Sequence, residues 1–373
     1  MTRVEEDWLA LTLVKGVGQK TIRSLLDRFG GIGPLLDAGA SAISGAAGVS
    51  AELAARIADA REVQAFAMER RLIEQHGVRL LCLDDEDYPP LLRQIHVPPP
   101  ILYCRGEVPL PEGLYLAVVG TRRQSRYGER AARRLIEQLA SAVPDLVVVS
   151  GMARGADTTA HLRALELGLK TVAVLAGGLT DVYPPENREL ADRIAGQGTL
   201  LTEFHMNQPP LGKHFPIRNR IISGLSRGLL VTEAGEKSGA LITAGFALNH
   251  GREVFAVPGN IDQPGHEGTN RLIQRGQAKL VRHASDILEE LELAHPPRPV
   301  QLDWLEGSAP AAQNVQYSEE QTRVLACLQE GPLHPDDLSK ALELPVEKLL
   351  VILLELELSG EICQTANNLY AIL

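Results

Sequence analysis

The most regular pattern in the chain lies between Gly113 and about Gly259, where short runs of apolar residues recur. There are six of these runs, most of which end near a glycine or serine, and helical segments separate most of them: LYLAVVG, LVVVSG, TVAVLAG, TLLTEF, GLLVTEA and EVFAVPG. A strand that is apolar on both faces needs cover on both faces, and a parallel sheet with flanking helices provides that cover. The pattern therefore predicts an α/β fold with a Rossmann-like, doubly wound and mostly parallel sheet.

The first part of the chain, to about residue 65, has short helical segments separated by glycine turns. The segment from Trp8 to Val14 leads into KGVGQK, after which Thr21 is expected to cap a second helix, and AISGAAGVSAELAARIADA repeats the arrangement. Paired glycine turns are typical of an all-α helix-hairpin-helix or SAM-like domain, in which first-turn N–H groups bind DNA phosphates. The same glycines can simply end one helix and let the next pack closely. Both interpretations stay open.

The segments on either side of the α/β pattern complete the domain organisation. A helix from about Phe66 to His76 is expected before two short strands, VRLLCLDD and ILYCRG, and the prolines between these strands favour a position at a sheet edge. Residues 294–316 are rich in proline and alanine without periodicity and are interpreted as a linker. Three helical patterns and a short hairpin follow, which is the outline of a winged helix. The predicted domains are residues 1–68 (helical), 69–293 (extended Rossmann-like), 294–316 (linker) and 317–373 (winged helix).

The overall charge of the 373-residue chain is −10, which by itself speaks against a nucleic-acid-binding protein. The acidic surplus is unevenly distributed. Residues 111–290 contain 21 basic and 19 acidic residues, whereas residues 316–373 contain 3 basic and 10 acidic ones. The charge therefore does not exclude DNA binding by the α/β domain, and it makes the C-terminal module the part least suited to it.

Several classes of protein are disfavoured by what the sequence lacks. No apolar run approaches the roughly 20 residues that a membrane-spanning helix needs. The four cysteines are far apart, with no CxxC and no Cys/His spacing typical of zinc, so we expect a cytoplasmic protein without a metal site. The GxGxxG fingerprint of nicotinamide and flavin enzymes is also absent, and we expect no cofactor. Neither a GxxxxGK[ST] phosphate-binding loop nor a GxSxG nucleophile motif occurs, and no paired carboxylate motif stands out. Nothing in the sequence requires an enzyme.

Ligands of open α/β sheets bind at the carboxyl ends of the strands, so the residues that follow each run are the candidate site. The first run continues as GTRRQSRYG, which lacks the glycine pattern of dinucleotide-binding proteins and instead offers Gly120, Arg122 and Ser125 to a phosphate. The second continues as SGMARGADTTAH, with Ser150, Gly151 and Arg154 in a turn of small residues before a helix. Small residues allow a ligand to approach backbone N–H groups closely.

The later strand ends add basic, aromatic and polar residues. The segment after the fourth run crowds Lys213, Phe215, Arg218, Asn219 and Arg220 into eight residues. Cations beside an exposed ring suit single-stranded nucleic acid. Equally, Phe215 would plug the end of the sheet while the arginines pair with acidic residues. The fifth and sixth runs are followed by Ser238 and Gly239 at a helix start and by Asn270 in a polar loop.

Several of these strings together resemble the DNA-processing protein A family (DprA, also called Smf). The resemblance spans about Gly120 to Ile273 and rests on motifs that occur in the same order: GTRRQSRYG, SGMARGADTTAH, DVYPPEN, FPIRNRIISGLS, TEAGEKSGALITA and GREVFAVPG followed by GTNRLI. It implies a recombination mediator of natural transformation that protects incoming single-stranded DNA and helps to load the RecA recombinase onto it. It also implies a homodimer formed through the α/β domain and no catalytic activity, with the segment from about Gly265 to Leu280 near the dimer contact and the RecA-facing surface.

The predicted DNA-binding residues combine the strand-end analysis with this resemblance. They are Gly120, Arg122, Ser125, Ser150, Gly151, Arg154, Lys213, Phe215, Arg218, Asn219, Arg220, Ser238, Gly239 and Asn270.

Two other functions stay open. One is an enzyme similar to the nucleotide phosphoribohydrolases, although their PGGxGT loop is absent. The other is a winged-helix regulator, although PVEKLLVILLELELSG carries three glutamates against one lysine. A weak contact of the winged helix with duplex DNA also stays open.

Overall fold

The computed structural model describes residues 1–46, 48–108, 110, 112–293, 317–329, 331, 333–358, 361–364 and 369–372. The chain divides into two compact units, within residues 1–296 and 297–373. The predicted linker, residues 294–316, lies outside the described residues.

The first unit is built on a nine-stranded sheet in the order β1-β2-β6-β5-β4-β3-β7-β8-β9. Its strands are β1 Arg79–Cys82, β2 Ile101–Gly106, β3 Leu114–Val119, β4 Leu146–Ser150, β5 Lys170–Val174, β6 Thr199–Thr202, β7 Gly228–Val231, β8 Glu253–Ala256 and β9 Lys279–Leu280. All pairs from β6 to β9 are parallel, whereas β1 and β2 are antiparallel additions at one edge. The predicted α/β fold is confirmed, and β9 is a two-residue strand that the apolar pattern missed.

Helices cover both faces of this sheet, as its fully buried strands require. They are α7 Pro90–Arg93, α8 Arg126–Ala142, α9 Ala156–Glu166, α10 Arg188–Gln197, α11 His214–Leu225, α12 Gly239–Asn249, α13 Glu267–Gln274 and α14 Ala284–Glu290. Apolar residues of α8, α9 and α14 share one core with β3, β4 and β7, among them Ile136 and Ile287. Residues of α11 and α12, such as Ile221 and Ala244, pack in a second core. The arrangement is doubly wound.

Six α-helices precede the sheet in the part of the chain that the structure describes: α1 Arg3–Leu13, α2 Gln19–Phe29, α3 Ile32–Leu36, α4 Ala40–Ser44, α5 Ala51–Ala58 and α6 Gln64–Gln75. Their buried side chains, including Trp8 and Ile57, belong to the same core as Tyr103 of β2. The buried carboxylate of Glu69 in α6 accepts a hydrogen bond from the backbone N–H of Met206 at 2.6 Å. The predicted boundary at residue 68 therefore falls inside α6, and the helices pack directly on the α/β domain.

The predicted cap of α2 is wrong by three residues. Gly18, with extended backbone angles (φ −93°, ψ 166°), is the N-cap, and its carbonyl accepts the first hydrogen bond of the helix, from Ile22 N–H at 2.9 Å. Thr21 lies inside the first turn. A glycine at the N-cap provides no side-chain acceptor, so the helix starts without a side-chain hydrogen bond.

The second unit is a winged helix, as predicted. Its elements are α15 Glu319–Leu328, α16 Pro335–Leu342, α17 Val346–Leu358, β10 Ile362–Gln364 and β11 Tyr370–Ile372. The two strands form an antiparallel hairpin, and Leu333 forms a further bridge with Tyr370. A separate core that includes Val324, Leu338 and Leu353 holds the three helices together.

Among the residues that the structure describes, none of the helices is long and apolar enough to span a membrane.

Candidate functional site at the switch point of the sheet

The order of the strands creates a crevice in the middle of the sheet. From β3 the chain moves outward through β4, β5 and β6, and it then returns to place β7 on the other side of β3. The connections that leave β3 and β7 therefore run to opposite faces, and ligands of open α/β sheets bind where this reversal occurs. A cleft of about 910 Å³ opens here, which we call the switch-point cleft. It is lined by residues that follow β3 and β7 and by parts of α9, α11 and α12.

Hydrogen bonds between loops hold the floor of the switch-point cleft. The N–H of Thr121 donates to the carbonyl of Glu233 at 2.8 Å, and the N–H of Ala156 donates to the carbonyl of Thr121 at 3.2 Å. Gly120 sits where the three loops meet, since a Cβ atom there would lie 2.6 Å from both the Ala156 Cβ and the Thr232 Oγ1. The first residue of the GTRRQSRYG motif is therefore a glycine because there is no room for a side chain at this position.

Arg122 and Phe215 form the most distinctive contact in the switch-point cleft. The guanidinium carbon of the exposed Arg122 lies 4.9 Å from the centroid of the Phe215 ring. Tyr183 meets the same ring edge to face, with centroids 6.0 Å apart. In the part of the chain that the structure describes, no carboxylate lies within ion-pair distance of Arg122. Its charge is therefore stabilised by the ring and, at longer range, by attraction to Asp157.

Three more exposed cations stand at or beside the cleft. Arg123 and Lys237 line it, and Lys213 is the N-cap residue of α11, directly before its aromatic segment. None of the three side chains has an ion-pair partner among the described residues. Lys213 was predicted, whereas Arg123, Lys237 and Tyr183 were not. The signal for them was their position inside motifs that had already been selected, next to Arg122, next to Ser238 and in DVYPPEN.

The first turn of α12 completes this wall of the cleft. Ser238 is its N-cap, and the Ser238 Oγ accepts a hydrogen bond from Ala240 N–H at 3.3 Å. Gly239 is exposed, with no atom within 4 Å of the position a Cβ would take. Helix N-termini present unsatisfied N–H groups and a partial positive charge. This end of the cleft is therefore suited to an anion.

Arg218 lines the switch-point cleft but is committed to the protein interior. It is 3% exposed, and its Nη1 donates to the carbonyls of Gly151 and Val174 at the ends of β4 and β5. Burial lowers the pKa of Arg218 to about 10, an effect that the nearby Asp157 opposes. Burial likewise raises the pKa of the Asp157 carboxyl, against the influence of Arg218. Arg218 and Asp157, which both line the cleft, therefore attract each other electrostatically.

Half of the predicted residues line the switch-point cleft: Gly120, Arg122, Phe215, Arg218, Asn219, Ser238 and Gly239. Gly151 lines a small neighbouring cavity with Phe215 and Tyr183, and a Cβ at this position would lie 2.6 Å from the Arg218 guanidinium.

The remaining predicted residues, apart from Lys213, have partners within the fold. Ser125 caps α8, and its N–H and Oγ each donate to Glu233 Oε2 at 2.9 Å. The buried Ser150 donates to the Val118 carbonyl at 2.6 Å.

The two arginines and the asparagine of this group are also engaged. Arg220 is 8% exposed and pairs with Glu203, so its side chain is not free to meet a ligand in the cleft. Arg154 pairs with Glu186, although both side chains are half exposed. Asn270 binds the backbone of Gly259 through both ends of its amide, at 3.0 and 3.1 Å. The sequence left two interpretations of the basic segment open, pairing of its arginines with acidic residues and an aromatic surface for nucleic acid. Arg220 fits the first, because it pairs with Glu203, and Phe215 fits the second, because its ring lines the cleft.

The chain is similar in sequence to proteins of known families. Residues 79–292 match the family profile described as DNA recombination-mediator protein A, and residues 308–368 match the DprA winged helix domain. The chain is 41% identical to Protein Smf of Escherichia coli over 296 residues, which are 77% of this chain and 76% of that protein. It is 43% identical to DNA processing protein DprA of Streptococcus pneumoniae over 208 residues, which are 56% of this chain and 72% of that protein.

Two solved structures share the fold. DNA processing protein A from Streptococcus pneumoniae superposes with a TM-score of 0.67 and 33% identity, covering 78% of this chain and 99% of that one. DNA processing protein A from Helicobacter pylori, whose structure concerns its single-stranded DNA binding mode, superposes with a TM-score of 0.52 and 30% identity. This second match covers 58% of this chain and 95% of that one.

Proposed function

The chain belongs to the DNA recombination-mediator protein A family, whose members act in DNA processing, and we propose that it binds single-stranded DNA in the switch-point cleft. The observation that carries the proposal is the contact of Arg122 with Phe215 at the cleft wall. A cation and an aromatic face side by side match the two parts of a single strand, its phosphates and its unpaired bases.

The phosphates are assigned to the cations and to the start of α12. Arg122, Arg123, Lys213 and Lys237 are exposed without acidic partners in the described residues, so a phosphate can approach them without displacing an ion pair. The first turn of α12, directly after Lys237, adds backbone donors to the cleft lining. Charge-assisted hydrogen bonds of this kind are stronger than neutral ones.

The bases are assigned to Phe215, with Tyr183 holding the ring edge to face. Stacking on an aromatic ring does not depend on base identity, because every base has an aromatic face. The site therefore suits DNA of arbitrary sequence, which is what a protein that handles incoming strands must accept.

A finer part of the proposal concerns the biological role. We propose that the protein protects single strands during natural transformation and helps to load RecA onto them, as its resemblance to the family implies. A reducing cytoplasm is the compartment in which RecA acts, and the thiols of Cys82, Cys104 and Cys327 are free, as expected there. Addition of the protein to RecA and single strands covered by a single-strand-binding protein should raise the rate of RecA filament formation, and an unchanged rate would reject the loading role.

We further propose a homodimer through the α/β unit, at the edge formed by β9. This edge strand is two residues long, and its Leu280 is 40% exposed. Leu248 of α12 is 39% exposed and lines a groove with Gln277, two residues before β9. Sedimentation velocity at micromolar concentration should give the mass of a dimer. The double substitution Leu248→Glu and Leu280→Glu should give a folded monomer, and a dimer that persists would place the interface elsewhere.

Binding of a fluorescent oligothymidylate tests the cleft assignment. Phe215→Ala should weaken binding by about 1–3 kcal/mol per stacked base, and Phe215→Tyr, which keeps the ring, should retain most of the affinity. Arg122→Ala should weaken binding as well, because it removes both a phosphate contact and the cation above the ring.

The matched control is Arg133→Ala, which removes an arginine from the surface of α8 that is already paired with Glu166. Equal affinities for wild type, Phe215→Ala and Arg122→Ala would mean that DNA does not bind in this cleft.

A further inference from the structure

A second groove lies along α8, separate from the switch-point cleft. It measures about 590 Å³ and runs between α8, the end of β8 and the segment that follows β9. No residue lines both this groove and the switch-point cleft. We call it the α8 groove, and its polar lining consists of Tyr127, Arg130, Arg134, Arg282 and His283.

The charges of the α8 groove are all of one sign. Four of its ten lining residues are arginine or histidine, and none is aspartate or glutamate. Among the described residues, no carboxylate lies within ion-pair distance of Arg130, Arg134 or Arg282, and all three are exposed. The neighbouring Asp286 directs its Oδ2 to the backbone N–H groups of Arg282 and His283, at 2.7 and 2.9 Å.

Two of the basic side chains even touch each other. The Nη2 of Arg134 lies 3.0 Å from the Nδ1 of His283, across the groove between α8 and the segment after β9. Because an arginine can only donate, the Nδ1 of His283 accepts this hydrogen bond, and the contact holds Arg134 in place along the groove. The groove therefore has the chemistry of a phosphate-binding surface rather than of a protein core.

Carboxylates that could pair with arginines are present elsewhere around α8. Arg133, next to Arg134 in sequence, pairs with Glu166 at 2.7 Å, and Arg163 of α9 pairs with Glu137 at 2.9 Å. These arginines are neutralised within the fold. Among the described residues, Arg130 and Arg134 have no such partner, although they belong to the same helix as Arg133.

Exposed arginines follow one another along the chain from the switch-point cleft to the α8 groove. Arg122 and Arg123 line the switch-point cleft, and α8 begins three residues later at Arg126. Arg126, Arg130 and Arg134 are four residues apart, which places them on one face of the helix about 6 Å apart along its axis. A strand that leaves the cleft past Arg123 would meet a positive charge at each turn.

We propose that the α8 groove binds the phosphate backbone of the same single strand that occupies the switch-point cleft, and so lengthens its path on the protein. The inference rests on the proposed function of the cleft. The ligand is a single strand rather than a duplex because these arginines follow, along the chain, the residues of a cleft whose aromatic ring takes unpaired bases. Because the groove offers charges and no base-reading arrangement, its contribution is independent of sequence and sensitive to salt.

The test uses the full-length protein and oligothymidylates of two lengths, about 6 and about 20 nucleotides, chosen on either side of a typical single-strand site size. The variant is the triple substitution Arg130→Ala, Arg134→Ala and Arg282→Ala. We expect the affinity for the longer oligonucleotide to fall about tenfold or more, and the slope of log affinity against log salt to become shallower by about 2. The affinity for the shorter oligonucleotide should stay unchanged, because the switch-point cleft alone holds it.

A second triple variant controls for the loss of three positive charges. Arg105→Ala, Arg133→Ala and Arg188→Ala remove arginines that pair with Asp192, Glu166 and Asp181. This control should bind both oligonucleotides like the wild type. Equal losses in the two triple variants would show a general charge effect and overturn the proposal.

Three other results would also reject the α8 groove as a single-strand site. An unchanged affinity of the groove variant for the longer oligonucleotide would do so directly. A loss confined to a blunt duplex would make the groove a duplex site instead. Failure of the wild type to bind even the shorter oligonucleotide would remove the cleft function on which this inference rests, and this result is distinguishable because it appears in the unsubstituted protein.

Discussion

The cleft side of α11 and its packed side use similar residues for opposite purposes. On the cleft side, Phe215 lies beneath Arg122, which has no carboxylate partner among the described residues. On the packed side, Arg220 pairs with Glu203 after β6, and both side chains are largely buried. The presence or absence of a carboxylate partner therefore distinguishes arginines that stabilise the fold from arginines that can bind a ligand. A buried arginine that pairs with a carboxylate stabilises the fold. An exposed arginine that contacts an aromatic ring and has no carboxylate partner is available to bind a ligand.

The largest effect should come from the packed side and should leave DNA binding alone. Arg220→Ala leaves Glu203 buried without its counter-charge, and burial already raises the pKa of that carboxyl. We expect the free energy of unfolding to fall by about 3–5 kcal/mol. Urea unfolding measures this loss, and oligothymidylate binding below the unfolding transition should match the wild type. A variant of normal stability with lost affinity would reverse the roles of the two sides of α11.

The next effect concerns another polar group enclosed by the fold, His161 of α9. Its Nδ1 lies 2.7 Å from Thr171 Oγ1, and burial lowers the pKa of His161 to about 3. Below a pH of about 6.5, His161 binds a proton in the unfolded chain but stays neutral in the folded chain. The free energy of unfolding therefore falls as the pH drops. At pH 4.5 the loss from this group amounts to about 2.7 kcal/mol.

The pH dependence of urea unfolding, compared between wild type and His161→Leu, measures this contribution. The variant should have a flatter profile between pH 6.5 and 4.5, whatever its stability at neutral pH. Identical profiles would show that other groups cause the acid sensitivity.

A smaller effect, on the salt dependence of DNA binding, is expected from the exposed lysines at the switch-point cleft. Lys213→Ala with Lys237→Ala removes two exposed cations, so the slope of log affinity against log salt should become shallower by about 1.4. The paired lysines Lys170 and Lys348, whose partners are Glu107 and Glu320, form the matched control. Titrations at several salt concentrations separate the two variants. Equal slopes would mean that open and paired cations do not differ in function.

The smallest effect should follow from removal of the C-terminal unit, after Leu293. Residues 316–373 carry 3 basic and 10 acidic residues, and α17 exposes the apolar Leu350, Val351 and Leu354. A helix that reads or clamps DNA needs cations at such positions. Single-strand affinity should change by less than about twofold, as measured by the same titration, whereas a tenfold loss would assign DNA contacts to this unit.

The sequence allowed much of the α/β architecture to be predicted. Six apolar runs correspond to β3–β8, because strands covered on both faces must be apolar throughout. The winged helix was predicted for a similar reason, since each of its helices has its own apolar spacing. The two-residue strand β9 escaped because a segment so short has no periodicity. The start of α2 was misplaced because a glycine cap has no side-chain signature.

The candidate site was predicted less completely. The motifs located Arg122, Phe215, Ser238 and Gly239, all of which line the switch-point cleft. The same reasoning selected Ser150 and Asn270, whose side chains hold neighbouring backbone groups instead. Sequence position identifies which residues follow a strand, but it does not identify which atoms lie within 3 Å of them.

By itself, the sequence determined the class of the fold, the succession of its elements and the motifs that mark the family, because apolar periodicity and local spacing are properties of neighbouring residues. Only the tertiary structure decided the order of the strands, which places β7 beside β3 and opens the cleft between them. It also decided that Arg220 meets an acid whereas Arg122 meets a ring. The physical reason is that a charge finds its partner through long-range crossovers of the chain, and these contacts leave no periodic pattern in the sequence.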